Sequence, residues 1–181
     1  PAERDAWGPI EVELTDPDGL AAARGLVAVT DRSGDKTYAV VSVDKGRTFE
    51  QYETPCSADL EGGELSATRD SLWLTCATGT AASVQVSTDK GQTWTAVPSD
   101  TGIANSAPVG ARGPDSAVAA APSEVLLLDR QGGNRRASVP GLDSPRYTGF
   151  TAPDVGYVLD LDGDLFRTDD GGSSWRKIGF D

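Results

Sequence analysis

Three stretches of the chain set an aspartate between two hydroxyl side chains, with a glycine and an aromatic at fixed distances. They are Ser42-Val43-Asp44-Lys45-Gly46-Arg47-Thr48-Phe49, Ser87-Thr88-Asp89-Lys90-Gly91-Gln92-Thr93-Trp94 and Thr168-Asp169-Asp170-Gly171-Gly172-Ser173-Ser174-Trp175. A carboxylate in such a setting can ligate a cation, move a proton, or accept hydrogen bonds from turn amides. The glycine decides among these. It supplies the positive φ of a tight hairpin, the aspartate then faces the turn's own N–H groups, and the hydroxyl ties the far side. Asp44, Asp89 and Asp170 are therefore read as hairpin clasps, with no catalytic residue and no metal ligand among them. The aromatics Phe49, Trp94 and Trp175 begin the returning strand and can pack across a sheet as large apolar anchors.

Other chemistry is limited by what the chain lacks. It has no histidine, which removes the usual general base, the commonest metal ligand and the orienting member of a nucleophilic triad. No phosphate-cradling Gly-x-x-x-x-Gly-Lys-Ser/Thr segment and no Gly-x-Gly-x-x-Gly is present, so no cofactor is expected. Asp160-Leu161-Asp162-Gly163-Asp164 is acidic, but its glycine is misplaced for an EF-hand loop and a hairpin is the simpler reading. Arg24, Arg69 and Arg112 recur at near-equal intervals. A ring of guanidinium groups could hold a carboxylate, and the same recurrence also results from salt bridges between repeated units, which is the preferred reading. Tyr147, beside Arg146, is the remaining candidate for chemistry.

Cys56 and Cys76 are the only cysteines. With no CxxC spacing and no histidine they read as a disulfide rather than a metal site, two buried thiols being the alternative; a disulfide would place the protein outside the cytosol. The net charge of -12 repels a phosphate backbone or an anionic membrane, so no nucleic-acid partner is expected. No apolar run is long enough for a membrane span. The chain opens at Pro1 without a basic and apolar leader, which fits a mature form or a trimmed sequence.

The elements that position the clasps follow from their spacing. Asp44 and Asp89 lie 45 positions apart, and Asp89 and Asp170 lie 81 apart, close to two periods. A decayed copy fills the gap: Val125 to Gly132 keeps a strand, Asp129 and a glycine but loses the aromatic. Within each period four short strands alternate or run apolar between turn residues. In the second these are Glu64 to Thr68, Leu72 to Ala77, Ser83 to Ser87 and Thr93 to Val97; in the fourth, Tyr147 to Thr151, Gly156 to Leu161, Leu165 to Thr168 and Ser174 to Gly179. Four strands per unit of this length predict an all-β chain made of four-stranded antiparallel propeller blades. Four units are expected, at approximately 20–55, 56–99, 100–140 and 141–181. Residues 1–19, with alternation from Trp7 to Leu14, are expected to form an N-terminal strand that a preceding blade would leave over. The expectation that follows is a chain that forms part of a larger ring, completed by N-terminal blades or by a second chain.

The octapeptides resemble the Asp-box, or BNR, repeat family, which includes sialidases, sortilin-type receptor ectodomains and photosystem II assembly factors. The resemblance implies that each clasp (Ser42, Asp44, Gly46, Thr48; Ser87, Asp89, Gly91, Thr93; Asp129; Thr168, Asp170, Gly172, Ser174) joins the third and fourth strands of a blade. Sialidases use a tyrosine nucleophile and an arginine cluster, but the family's Arg-Ile-Pro segment is absent here. Arg24, Arg69 and Arg112 also fall on the clasp rim, opposite to the sugar-binding rim. The other rim gathers Asp31 to Lys36, Glu53 to Glu64, Asp100 to Ser106 and Asp162 to Asp164, and it is loop-rich and acidic. The expected function is a non-enzymatic binding or scaffold module, secreted or at a cell surface, presenting these loops to a protein or glycan partner. The alternatives are a glycan-binding or sialidase-like glycoside hydrolase fragment, and an assembly factor for a protein complex.

Overall fold

The computed structural model describes residues 14–23, 25–59, 64–77, 79–98, 103–104 and 107–179. Its regular elements are sixteen strands in four antiparallel four-stranded sheets, with no helix among the described residues. The first sheet runs in order β1 (Pro17–Ala23), β2 (Leu26–Ser33), β3 (Lys36–Ser42) and β4 (Glu50–Ser57). The second holds β5 (Leu65–Ala67), β6 (Leu72–Ala77), β7 (Ala82–Ser87) and β8 (Thr95–Ala96). The third holds β9 (Val109–Ala111), β10 (Ser116–Ala121), β11 (Glu124–Asp129) and β12 (Arg135–Ser138). The fourth holds β13 (Pro145–Phe150), β14 (Gly156–Asp160), β15 (Leu165–Thr168) and β16 (Arg176–Ile178). Each sheet is a simple meander, the form of a propeller blade. β1 takes in residues 17–19; most of the Trp7 to Leu14 strand expectation lies outside the described residues.

Burial along the strands shows how the blades stack. β6 is buried at every position because both of its faces are covered. Leu72, Leu74 and Cys76 pack toward the first blade with Ala28, Ala39 and Val41. Trp73 turns the other way and joins Val109, Ala117 and Leu126 of the third. A third cluster sets Val118, Val125 and Leu127 of the third blade against Val158 and Phe166 of the fourth. In the fourth blade β14 and β15 revert to alternation, buried on one face only. Fully covered strands read as continuous apolar runs, half-covered ones alternate.

The innermost strands β1, β5, β9 and β13 neighbour one another in that order. Together they surround an axial cavity of about 220 Å³. Close approach there depends on Gly110, where a Cβ would meet Thr148 of β13 at 2.9 Å.

Candidate functional site

The clasps form one hydrogen-bond pattern three times. At the first, the Ser42 hydroxyl donates to Asp44 Oδ1 at 2.8 Å and accepts the Gly46 N–H at 2.8 Å. Asp44 Oδ1 also accepts the Thr48 N–H at 2.9 Å, and Oδ2 accepts the Thr48 hydroxyl at 2.8 Å. Ser87, Asp89, Gly91 and Thr93 repeat this, as do Thr168, Asp170, Gly172 and Ser174. Both carboxylate oxygens face donors of their own turn, which favours the charged form. The Thr48 N–H and hydroxyl hold the Asp44 carboxyl far below the usual range. At Asp170 the Ser174 hydroxyl and N–H hold it down to about 2. At Asp89 desolvation pushes upward as the largest single influence, but the Thr93 and Ser87 hydrogen bonds together outweigh it and the net shift is downward.

Asp129 needs a correction. It is the last residue of β11 and pairs with Ser116, as Ser87 pairs with Leu72 and Ser42 with Val27. It therefore occupies the hydroxyl place of the clasp, not the aspartate place. The aspartate place falls to Gln131, whose N–H donates to Asp129 Oδ1 at 2.8 Å. The left-handed corner survives as Gly132 and Gly133, at φ 100 and 88, where the other clasps have Lys45 and Gly46, Lys90 and Gly91, or Gly171 and Gly172.

The aromatics separate by position. Trp94 packs in the seam between the first two blades and Trp175 in the seam between the last two. Trp175 Nε1 donates to the Gly172 carbonyl at 2.9 Å and meets Phe150 edge-on at 6.4 Å. Phe49 belongs to none of the three clusters. Cys56 of β4 and Cys76 of β6 form a disulfide that staples the first blade to the second.

Of the three recurring arginines, two lie among the described residues. Arg24 lies outside the described residues, and Arg69 is exposed in the turn after β5. Arg112 reaches into the fourth blade, where its Nε donates to the Pro153 carbonyl at 3.0 Å and its guanidinium lies 5.8 Å from the centre of the Phe150 ring. It is a strut between blades, with a carbonyl and a ring as partners rather than a carboxylate.

On the rim away from the clasps, a second set of aspartates holds the incoming chain. Asp31, 2% exposed, accepts the N–H groups of Thr15 and Asp16, each at 2.8 Å. Asp160, 3% exposed, accepts those of Asp143 at 2.8 Å and Ser144 at 3.1 Å. The Asp143 N–H leads the causes that lower the Asp160 pKa. Sequence reasoning placed Asp31 in the acidic rim loop and Asp160 in a hairpin turn and missed this buried role, because their donors lie 15–17 positions upstream in segments with no repeated motif.

The surface this leaves for a partner lies on that same rim and at the channel mouth. Glu64, just before β5, and Tyr147, within β13, line the axial cavity with Ser66 and Thr148; Tyr147 is 59% exposed. Around the mouth, Asp35, Asp59, Asp143 and Asp162 are exposed. Lys36 pairs with Glu53 at 2.7 Å, and Lys177 pairs with Asp164. Of the expected Asp100 to Ser106 loop only Ile103 and Ala104 are described. On the clasp rim, by contrast, Lys45, Arg47, Lys90 and Arg130 are interspersed with the acids. Among the described residues no three acidic or cysteine side chains gather as a metal site requires, and no helix is long and apolar enough to cross a membrane.

Comparison with known proteins agrees with this geometry. The BNR/Asp-box repeat profile matches residues 85–96, the second clasp and its flanks. No curated protein matches the sequence. The chain is similar in structure to a chain of a nidogen/laminin complex, with TM-score 0.65, 14% identity, 94% of this chain covered and 65% of that one. It is similar to YCF48 bound to D1 peptide, with TM-score 0.54, 14% identity and coverage of 94% and 57%. A third likeness is virginiamycin B lyase from Staphylococcus aureus, with TM-score 0.64, 13% identity and coverage of 92% and 56%. These neighbours are β-propellers, and this chain spans between 56% and 65% of their length.

Proposed function

For a chain of Asp-box blades with the β-propeller fold, we propose a non-enzymatic binding module that presents its acidic rim to a basic segment of a protein partner. The observation that carries this reading is the division of carboxylates. Those of the clasps and of Asp31 and Asp160 are spent on backbone and hydroxyl donors, whereas Asp35, Asp59, Asp143 and Asp162 face solvent on the rim opposite the clasps; the exposed Asp70, Asp115 and Asp154 of the clasp rim lie among Arg69, Lys45, Lys90 and Arg130. An acidic surface of one sign raises the local concentration of a cationic ligand and steers its approach. The neighbour YCF48 is seen with a bound peptide, which supports peptide binding as a use of this fold. The module works outside the cytosol, consistent with its disulfide, and further blades or a second chain complete its ring. Docking on a larger protein complex, as an assembly factor does, is one form of the same activity.

A Lys-Ser repeat decapeptide labelled with a fluorophore is the direct probe. Binding should weaken by about tenfold or more in Asp143→Lys/Asp162→Lys, and it should fall with rising salt. Equal affinity for the variant, or no binding at low salt, contradicts the reading.

A second reading draws on Tyr147 and Glu64 sharing one cavity, since a tyrosine can serve as the nucleophile in glycoside hydrolysis. Turnover of a fluorogenic sialoside, lost in Tyr147→Phe, would select it.

A further inference from the structure

The axial cavity has a character that neither the clasps nor the acidic rim require. Small residues keep it open: Ala22 of β1, Ala67 of β5 and Gly149 of β13 line it. Residues two apart on a strand share a face, so Leu20 and Ala22 stand together on β1, and both are exposed. On β13 the Tyr147 ring lies along its own strand, because its hydroxyl sits where a Cβ on Gly149 would be. Glycine at 149 is therefore what lets an aromatic side chain, 59% exposed, lie as one wall of the cavity.

The polar groups of the lining favour one class of ligand. Ser66 Oγ accepts the Ala111 N–H at 2.9 Å, and a hydroxyl oxygen has a second lone pair to offer. Thr148, 3% exposed, carries a buried hydroxyl with no hydrogen-bond partner among the described residues. Glu64 brings a negative charge, and no lysine or arginine among the described residues lines the cavity. An anionic ligand would meet a like charge and no cation there. An ammonium would meet hydroxyl acceptors and the negative face of a tyrosine ring. β5 and β13 enter from the rim away from the clasps, so the mouth opens among the exposed Asp35, Asp59, Asp143 and Asp162, whose field draws in a cation. At about 220 Å³ the cavity is smaller than a drug-sized pocket of about 300 Å³ or more, and it suits a single side chain.

We propose that the axial cavity receives one lysine side chain of the basic segment that docks on the acidic rim. Its methylenes lie along Leu20, Ala22 and the Tyr147 ring, and its ammonium reaches toward the hydroxyls of Ser66 and Thr148. This deepens the acidic-rim reading and rests on it: the rim steers the segment, and the cavity selects for lysine.

Two decapeptides separate the cavity from the rim, at a pH where both kinds of amine are charged. One is the Lys-Ser repeat; the other carries 2,4-diaminobutyrate in place of lysine, equal in charge but two methylenes shorter. Rim electrostatics alone would bind them alike. Insertion should favour the lysine peptide by about tenfold, as burial of the extra methylenes implies. Ala22→Phe, which fills the cavity from an exposed position, should bring the two affinities together. In the unmodified chain, which needs no variant to fold, nuclear Overhauser contacts should join the lysine methylenes to the Tyr147 ring. Equal affinities for the two peptides, a lysine preference unchanged in Ala22→Phe, or lysine contacts with the rim and none with Tyr147 would each overturn the proposal. Equal affinities that still weaken in Asp143→Lys/Asp162→Lys would remove the cavity and leave the acidic-rim reading standing, whereas no binding of either peptide would remove both.

Discussion

Asp160 accepts the backbone N–H of Asp143 at 2.8 Å, tying the connection that enters the fourth blade to the end of its second strand. Asp31 does the same for Thr15 in the first blade. Each blade with such an aspartate is therefore held at both rims, by the Ser/Thr-Asp-Gly clasp at one and by a buried carboxylate at the other. Asp160→Ala leaves the Asp143 and Ser144 N–H groups without their acceptor, and a loss of about 2 kcal/mol is expected. Asp162→Ala, in the exposed turn next door, should stay within about 0.5 kcal/mol. Thermal melts of the two variants check this, the first falling by roughly 4–8 °C.

Acid should loosen the clasps before it touches the cores. The folded Asp170 carboxyl titrates near 2, against an ordinary value of 3.8. A carboxyl depressed in the folded state contributes stability that is complete above its unfolded pKa and is lost as pH falls through the folded one. The clasp contribution is thus whole above about pH 4 and drains away toward about pH 2. Tryptophan fluorescence followed through an acid titration should show the fourth blade opening in that window. In Asp170→Asn the dependence on pH in that window should flatten, starting from lower stability.

The left-handed corner of the second clasp offers a pair of opposite effects. Lys90 sits at φ 65, where the fourth clasp has Gly171 at φ 72. Relieving that conformation in Lys90→Gly should stabilise by about 1 kcal/mol. One residue on, Gly91 sits at φ 94 and a Cβ would lie 3.3 Å from Val41 and 3.6 Å from Leu72. Gly91→Ala should therefore destabilise by more than about 1 kcal/mol. Denaturant midpoints for the two variants should move in opposite directions.

Cys56→Ser/Cys76→Ser removes the staple across the first seam. The bond closes a loop with a sequence separation of 20, and its loss should cost about 3 kcal/mol. Calorimetry should show a fall of roughly 6–12 °C, and the same shift should appear in the unmodified chain after reduction.

Much of the architecture is legible from local sequence because its partners are local. The octapeptide clasps bond within four residues, so pattern alone implies their geometry, and Leu72 to Ala77 and Leu165 to Thr168 read as strands because their apolar runs end at turn residues. Asp129 was misplaced because matching one aspartate to another outweighed the register of the strand before it, which runs through to Asp129. Asp31 and Asp160 resemble ordinary strand-end acids, and only folding brings their distant donors to them. The fate of Arg112 was hidden for the same reason: its partners, Pro153 and Phe150, belong to the next blade.

Amide hydrogen exchange with the Lys-Ser decapeptide bound tests most directly where this protein meets its partner. Protection should rise around residues 33–36, 57–59, 143–146 and 161–164, on the rim opposite the clasps. Protection confined to residues 43–48, 88–93 and 169–174 would place binding on the clasp rim and contradict the account.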